Sequence, residues 1–325
     1  MPLKSLDVHL TNKCNMNCLH CLYRSGEKNI KETLDLSNYN KIFKDLFILS
    51  NKDGYINFLG GEPLLRKNFW EIAKKAKKNH LKINLISNLH FPDRVIKKIF
   101  NFGFDRISIG IHGKEKTHDW LRNSNGDHKN ALMILKNLSE TINPPHINIT
   151  TVLHNKNLNE VKTLLELGKK MKINSYTFLF FSPVGRGLNH KKLTINPIKW
   201  NSTKNKIIKW IIKNKPGFVI ALEKPYQQNN EKTHKFCSKT NNTSLEIRCD
   251  GNVYFCGLLS SINGPSLGNL KNNSIIDIYK SIKPLCSKNL CDCVAFKIAL
   301  KKQDDSLFKS KKWILTCPYK IEYLN

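Results

Sequence analysis

From Leu6 to about Asn214 the chain alternates between two hydrophobic rhythms. Apolar residues at every second position in Leu6-Val8-Leu10, Ile83-Leu85, Ile107-Ile109-Ile111 and Ile147-Ile149 predict strands, because successive side chains of an extended chain point to opposite faces. Tyr55–Leu59 and Tyr176–Phe181 are more continuously apolar and predict strands buried on both faces. Between them apolar residues recur three and four apart, the helical spacing. Ile42, Phe43, Leu46 and Phe47 follow a candidate cap at Ser37, and Phe69, Trp70, Ile72, Ala73 and Ala76 form the next set. Val95, Ile96, Ile99 and Phe100 are opened by Pro92, a first-turn proline being tolerated. Ala131, Leu132, Leu135 and Leu138 come next, then Val161, Leu164, Leu165 and Met171, and finally Ile207, Ile208, Ile211 and Ile212. Six strands alternating with six helices predict a parallel α/β sheet joined by right-handed crossovers. The Lys/Asn-rich stretch from His190 to Asn230, with Trp200, Trp210 and Pro216-Gly217, is expected to finish the last helix, turn, and bridge to a second domain. The expected division is 1–214 and 215–325.

Composition narrows the class. The hydrophobic share of 40% and charged share of 24% are ordinary for a globular core. No apolar run reaches the ~18–20 residues of a membrane span, so no membrane partner is expected. The opening Met-Pro-Leu-Lys-Ser-Leu-Asp enters a strand at once, which predicts a cytoplasmic protein without a signal peptide. The net charge is +29, but the lysines are scattered in pairs such as Lys74-Lys75 and Lys97-Lys98, without interleaved aromatics. That distribution reads as a solvated basic face from a Lys/Asn/Ile-rich composition; nucleic acid is not expected as a partner, and an acidic peptide is the best functional use of the charge.

The ten cysteines change the picture most. Without a secretory signal they favour metal or catalytic use over disulfides. Three stand at 14, 18 and 21, and the other seven lie from Cys237 onward, which suggests two cysteine-dependent sites. Cys14-Asn-Met-Asn-Cys18-Leu-His-Cys21 follows the first strand directly. Thiolates are soft donors for iron–sulfur clusters and zinc. Three in one loop can hold three irons of a [4Fe–4S] cube and leave the fourth open, as a catalytic metal site requires. The residues alone leave zinc and reduced buried thiols as rival readings. Zinc would want a fourth donor, and His20 would crowd Cys21.

This C-x3-C-x2-C spacing at the end of a first strand resembles the signature of the radical S-adenosylmethionine (radical SAM) superfamily. The resemblance implies a partial (β/α)6 TIM-type barrel. It also implies that a [4Fe–4S] cluster on Cys14, Cys18 and Cys21 chelates SAM through its open iron, and that reductive cleavage gives a 5′-deoxyadenosyl radical that abstracts hydrogen. In parallel architectures chemistry gathers at the carboxyl ends of strands, and the unusual residues collect there. Gly60-Gly61-Glu62-Pro63 after the second strand is similar to the family's element for the SAM amino group: the glycines let backbone approach a ligand, and Glu62 can pair with an ammonium. Ser87-Asn88 follows the third strand, and by resemblance Ser108 and its neighbours on the fourth approach the ribose. Arg122 resembles the family's arginine for the SAM carboxylate, a bidentate task that suits guanidinium; it also reads as a surface arginine at a helix entrance. Asn155 after the fifth strand and Gly185 after the sixth resemble segments near SAM and its adenine. His112 is a candidate base or proton donor, and equally a structural or substrate-binding histidine.

Behind the barrel, Cys237, Gly251 and Cys256 are spaced like the start of the SPASM/twitch extension, in which one or two auxiliary [4Fe–4S] clusters sit. Asp250-Gly251 between extended segments predicts a hairpin. Cys286, Cys291 and Cys293, as C-x4-C-x-C, and Cys317 are further candidate ligands, although the full SPASM block has one more cysteine and different spacing. Cys249 is a candidate ligand, buried thiol or hydrogen-atom donor. A small cysteine-rich α+β domain is therefore expected. The expected function is a radical SAM enzyme that modifies a peptide or protein by crosslinking, epimerisation or residue oxidation, with flavodoxin or ferredoxin as reductant. Leader recognition would fall to the barrel, the extension or a separate protein. A small-molecule or tetrapyrrole-pathway oxidoreductase on the same scaffold is the alternative enzyme. A cysteine-rich electron-transfer or nucleic-acid-binding protein is the non-enzyme alternative.

Overall fold

The computed structural model of the chain describes residues 2–27, 29–226, 243–282 and 315–324. The candidate ligands Cys237, Cys286, Cys291 and Cys293 lie outside the described residues, and Cys317 is described only as strand backbone.

In chain order the elements are β1 (Ser5–His9), α1 (Leu36–Leu49), β2 (Tyr55–Leu59), α2 (Phe69–Lys78), β3 (Lys82–Ser87), α3 (Asp93–Phe102) and β4 (Arg106–Gly110). Then come α4 (Glu115–Arg122), α5 (Asp127–Ser139), β5 (His146–Leu153), α6 (Val161–Lys170), β6 (Ser175–Phe180), α7 (Pro197–Asn214) and β7 (Val219–Tyr226). The remainder is β8 (Ser244–Ile247), β9 (Asn252–Tyr254), α8 (Gly257–Ser261), β10 (Gly268–Asn269), α9 (Ile275–Ser281) and β11 (Leu315–Leu324). No helix among the described residues is long and apolar enough to cross a membrane.

The described residues form two compact units. The first takes in residues up to 15, 23–86 and 243–282. Its strands run β10-β9-β8-β1-β2-β3, with β8, β1, β2 and β3 parallel and β9 and β10 antiparallel. Leu6, Ile56 and Ile83 stand in one register row, and Val8, Phe58 and Leu85 in the next. These rows are fully buried under the crossover helices: the Phe58 ring meets Phe43 of α1 at 6.2 Å and Phe69 of α2 at 5.8 Å, both edge-on. The cap of α1 is Asp35 rather than Ser37. Its Oδ1 accepts from the backbone of Ser37 and Asn38, each at 2.8 Å, and the Asn38 side chain closes the box on Asp35 N–H. The Asp250-Gly251 hairpin forms as expected, with Gly251 at φ 87°.

The second unit takes in 16–22, 87–226 and 315–324. Its strands run β4-β5-β6-β7-β11, the first four parallel and β11 antiparallel on β7. Pro92 caps α3 from just outside the helix. The stretch expected to be a bridge instead continues the parallel series. Lys215 and Gly217, at φ 41° and 73°, turn α7 directly into β7, where Ile220 and Leu222 are buried.

Candidate active site

In the first unit the loop after β2 is laid along the segment that leads to Cys14. Gly61 N–H donates to Thr11 O at 2.9 Å and Glu62 N–H to Lys13 O at 2.8 Å. A Cβ on Gly60 would stand 2.5 Å from Thr11 O, and one on Gly61 2.1 Å from Lys13 O. The close approach that both glycines permit is therefore to the chain's own backbone, just before the first cysteine. Glu62 is fully buried, and its Oε1 accepts from Leu64 N–H at the head of the 3-10 turn that Pro63 begins. Thr11 hydroxyl binds Glu32, Glu32 pairs with Arg66, and Arg66 donates to Leu34 O, which ties the 32–34 segment to the same lead-in.

In the second unit Cys18 and Cys21 are held through their carbonyls. Arg186 donates from Nε to Cys18 O at 2.9 Å and from its backbone to Cys21 O at 3.0 Å. Gly185, at φ 61°, lies against the same turn: a Cβ there would stand 2.3 Å from Leu22 O and 2.4 Å from Cys21 O. Leu19, between the two cysteines, donates to Leu121 O and packs on the cluster of Leu121, Phe181 and Leu193.

Next to this turn lies a chain of buried rings and charges. The His20 ring stands edge-on to His112, with centroids 4.6 Å apart, and His112 stacks on His118 at 5.6 Å. His112 Nδ1 accepts from Val152 N–H, so the neutral ring carries its proton on Nε2; His118 Nδ1 accepts from His112 N–H, so His118 donates from Nε2 to Asp127 Oδ2 at 3.0 Å. The same Asp127 oxygen accepts from Arg122 Nε at 2.9 Å, and Arg122 reaches Asn88 O from Nη2. Burial, with the neighbouring His20, His118 and Arg122, pulls His112 well below the usual histidine range, and burial takes His154 down to about 4. Burial alone would raise Asp127, but the His118 hydrogen bond and the Arg122 charge outweigh it and hold the carboxyl at about 2. The His112 ring thus uses Nδ1 to hold the backbone of β5 and keeps a proton on Nε2. Arg122 is buried rather than a surface residue.

The other expected residues are placed as follows. Ser87 is buried and accepts from Leu89 N–H; Asn88 accepts from His90 N–H. Ser108 is buried beside Asn148 in a polar row that also takes in Ser175 and Thr177. The exposed Asn155 spends its amide on Lys192 O and Thr194 O. Two neighbours missed from the sequence carry the local architecture. Asp127 gathers His90, His118 and Arg122, and buried Asn157 bridges His112 O and Val152 O. Asp127 follows Gly126 at a helix start, where a carboxylate reads only as a dipole partner; nothing local announces its three partners.

Cys249, in the first unit, lies in the turn after β8 and is almost fully buried, with its carbonyl accepting from Thr33 N–H at 2.9 Å. Burial pushes its thiol up to about 11, so it stays protonated at neutral pH. Cys256 is half-buried before α8.

Neither Cys14, Cys18, Cys21, Cys249 nor Cys256 is in a disulfide, and the first three are only half-buried. Among the described residues no three His, Cys, Asp or Glu side chains converge on a single metal ion. A four-iron cube asks for a different arrangement, since each thiolate takes its own iron and the donors flank the cluster. Three soft thiols on one short turn, with its carbonyls and glycine contacts fixed from both sides in sequence, fit that group.

The comparisons with known proteins agree. The model of the radical SAM superfamily matches residues 8–168, and that of an iron–sulfur cluster-binding domain, SPASM, matches residues 237–303. The sporulation killing factor maturation protein SkfB of Bacillus subtilis is 27% identical over 311 residues, covering 92% of this chain and 71% of its own. The AdoMet-dependent heme synthase of Methanosarcina barkeri is 32% identical over 188 residues, covering 55% of this chain and 50% of its own. Among solved structures, Streptococcus suis SuiB bound to S-adenosylmethionine superposes with a TM-score of 0.72 at 14% identity, covering 98% of this chain and 77% of that one. SuiB bound to its precursor peptide SuiA gives 0.70 at 15% identity, covering 98% and 76%. The α/β fold with its parallel strands is that of radical SAM proteins, and SAM and iron–sulfur clusters are the cofactors that these domains bind. On the cysteine loop, the parallel strands that carry it and the two matched domains, the chain belongs to the radical SAM superfamily, as an enzyme-family member with a C-terminal SPASM domain.

Proposed function

We propose that this chain is a radical SAM enzyme that modifies a peptide, with a radical core that runs through β7 to about Tyr226 and the auxiliary-cluster domain behind it. The observation that carries the reading is the span of its likeness to SkfB, a maturation protein, which covers 92% of the chain and so includes the SPASM region. The likeness to the heme synthase covers only 55%. That the same fold in SuiB binds a precursor peptide supports the reading.

In this reading Cys14, Cys18 and Cys21 hold the catalytic cluster, and Cys256 with Cys237, Cys286, Cys291, Cys293 and Cys317 serves one or two auxiliary clusters. When bound, the catalytic cluster supplies the electron that cleaves SAM to a 5′-deoxyadenosyl radical able to take a hydrogen atom from substrate. The protein's own residues prepare that event. Gly60 and Gly61 let the β2 loop lie on the Cys14 lead-in, and Glu62, buried beside them, offers a carboxylate for the SAM ammonium. Arg122, aimed by Asp127, offers a guanidinium for the SAM carboxylate. Arg186 and Gly185 fix the backbone of the turn that carries Cys18 and Cys21, which lowers the cost of ordering it when a cluster binds. Cys249, protonated by virtue of burial, keeps a hydrogen atom available to a substrate radical.

The test is anaerobic incubation of the reconstituted protein with SAM, dithionite and a short acidic peptide, followed by mass spectrometry. A mass change in the peptide that needs both SAM and reductant supports the reading. Cleavage of SAM with an unchanged peptide, together with turnover of a tetrapyrrole or small alcohol, would replace it with the small-molecule alternative.

A further inference from the structure

The strand face opposite the helices of the first unit is polar. Asp7 accepts from Asn57 at 2.6 Å, and Asn57 accepts from Asn84 at 2.8 Å, a ladder across β1, β2 and β3. Glu246 on β8 stands opposite Asp7 in the parallel register, so it extends that row. The Tyr23 hydroxyl lies 3.2 Å from each of the Glu246 oxygens and shares its one proton between them, and His9 Nε2 lies 3.1 Å from Oε1. Burial alone would raise Glu246, but His9, Ser260 and Arg248 outweigh it and keep the carboxyl low.

Arg248 is two residues further along the same strand direction, at the carboxyl end of β8, on the face that Glu246 occupies. Only 6% of it is exposed. Its guanidinium stacks 4.9 Å from the centre of the Tyr23 ring. Its Nη1, completely buried, has no hydrogen-bond acceptor among the described residues. A buried guanidinium with an orphaned donor is costly, because burial removes the water that would otherwise bind it. Here the neighbouring carboxylate accepts from the Tyr23 hydroxyl and lies against His9. The arrangement holds a planar cation in place, stacked and desolvated, with a donor left over.

We propose that Arg248 is the anchor for a carboxylate of the substrate, supplied by an acidic side chain or by the chain terminus of a peptide. The proposal rests on the peptide reading above and gives it a substrate class. A monoanion suits the site: the ionised Glu246 nearby disfavours a doubly charged phosphate, whereas the planar fork of arginine matches a carboxylate. The net charge of +29 favours the same partner, since it draws acidic peptides toward the protein from solution. Tyr23 acts as the platform. It stacks on the guanidinium and donates to Glu246.

The experiment measures binding of three fluorescent hexapeptides to the full-length reconstituted protein. They are one with blocked ends and a central Glu, the same peptide with Gln, and the Gln peptide with a free C-terminal carboxylate. Wild type should bind one of the carboxylate-bearing peptides about ten- to a hundred-fold more tightly than the blocked Gln peptide, the range of a charge-assisted hydrogen bond. Which of the two wins tells side chain from terminus. Arg248→Gln should erase that preference while leaving SAM affinity and iron content unchanged. Arg248→Lys, which keeps the charge, should retain part of it and guards against a folding defect. Equal binding of all three peptides by wild type, or a preference that survives Arg248→Gln, overturns the proposal. So does loss of iron or of SAM affinity in both variants, since the guanidinium would then be balancing a cofactor. If no peptide binds but N-acetylglutamate does so in an Arg248-dependent manner, the carboxylate site stands and the peptide reading fails.

Discussion

Replacing Gly185 by alanine tests how tightly the cysteine turn is held. Gly185 sits at φ 61°, and an added Cβ would come within 2.3 Å of Leu22 O, 2.4 Å of Cys21 O and 2.5 Å of Leu22 C. All three are backbone atoms, so relief requires moving the turn that carries Cys18 and Cys21. Gly126 and Gly217 are matched controls: their φ values are 75° and 73°, and nothing lies within 4 Å of a Cβ at either. Each control should lose only the left-handed backbone cost, about 1 kcal/mol. Gly185→Ala carries that cost and an overpacking cost of about 1–3 kcal/mol more. Relief of the clash would also stretch the Arg186 hydrogen bonds to Cys18 O and Cys21 O, each worth about 1 kcal/mol. Urea unfolding of the apoprotein should therefore place Gly185→Ala about 2–4 kcal/mol below the controls, and reconstitution should load less iron into it. A Gly185→Ala protein as stable as Gly126→Ala and with full iron would refute the idea that this glycine positions the cysteines.

Asp127→Asn leaves the buried Arg122 guanidinium without its counter-charge, and the apoprotein should lose about 3–5 kcal/mol in urea unfolding. A loss below about 1 kcal/mol would mean that Arg122 finds another partner. The buried neutral rings of His112 and His154 both have folded-state pKa values below the unfolded one, so the unfolded chain binds more protons as pH falls. Their contribution is fully present above about pH 6.5 and is withdrawn below it, at up to about 2.7 kcal/mol per pH unit for the pair. Calorimetry of the apoprotein between pH 7 and 5 should show the midpoint falling, and His154→Gln should flatten that fall; an unchanged slope would contradict it. Cys249, buried and with its thiol near 11, should resist iodoacetamide at pH 8 in the folded apoprotein while Cys14 is labelled. Labelling of both at one rate would show that Cys249 is open to solvent.

Local rhythm made much of this fold legible. The period-two segments around Leu6, Ile83, Ile107 and Ile147 became β1, β3, β4 and β5, because each buries one face under helices whose own stripes were equally plain. The Asp250-Gly251 hairpin was legible because its backbone angle is a local demand. What escaped is what depends on distant partners. β8 lies beside β1 although more than two hundred residues separate them, and no local signal specifies that pairing. β7 was hidden behind Pro216-Gly217, which reads as a boundary although it is a helix-to-strand turn. The cysteine loop was visible in its spacing, but the residues that hold it were visible only in part. Gly185 stood out as a glycine after a strand, whereas nothing local marks Arg186 at its side. Glu246 and Arg248 did leave a trace, as charges alternating with Leu245 and Ile247. That alternation ordinarily marks a strand with one wet face, and here the charged side is buried as well.

A SAM-cleaving cluster on the turn at 14–21, distinct from an auxiliary site in the SPASM region, can be tested directly. Iron, sulfide and 5′-deoxyadenosine formed from SAM are measured on anaerobically reconstituted wild type and on the variant with Cys14, Cys18 and Cys21 all changed to alanine. Wild type should cleave SAM under reduction, and the variant should make no 5′-deoxyadenosine yet keep a substantial share of the iron. A variant that loses all its metal would contradict the auxiliary site. A wild type that loads iron but never cleaves SAM would contradict a radical SAM activity for this protein.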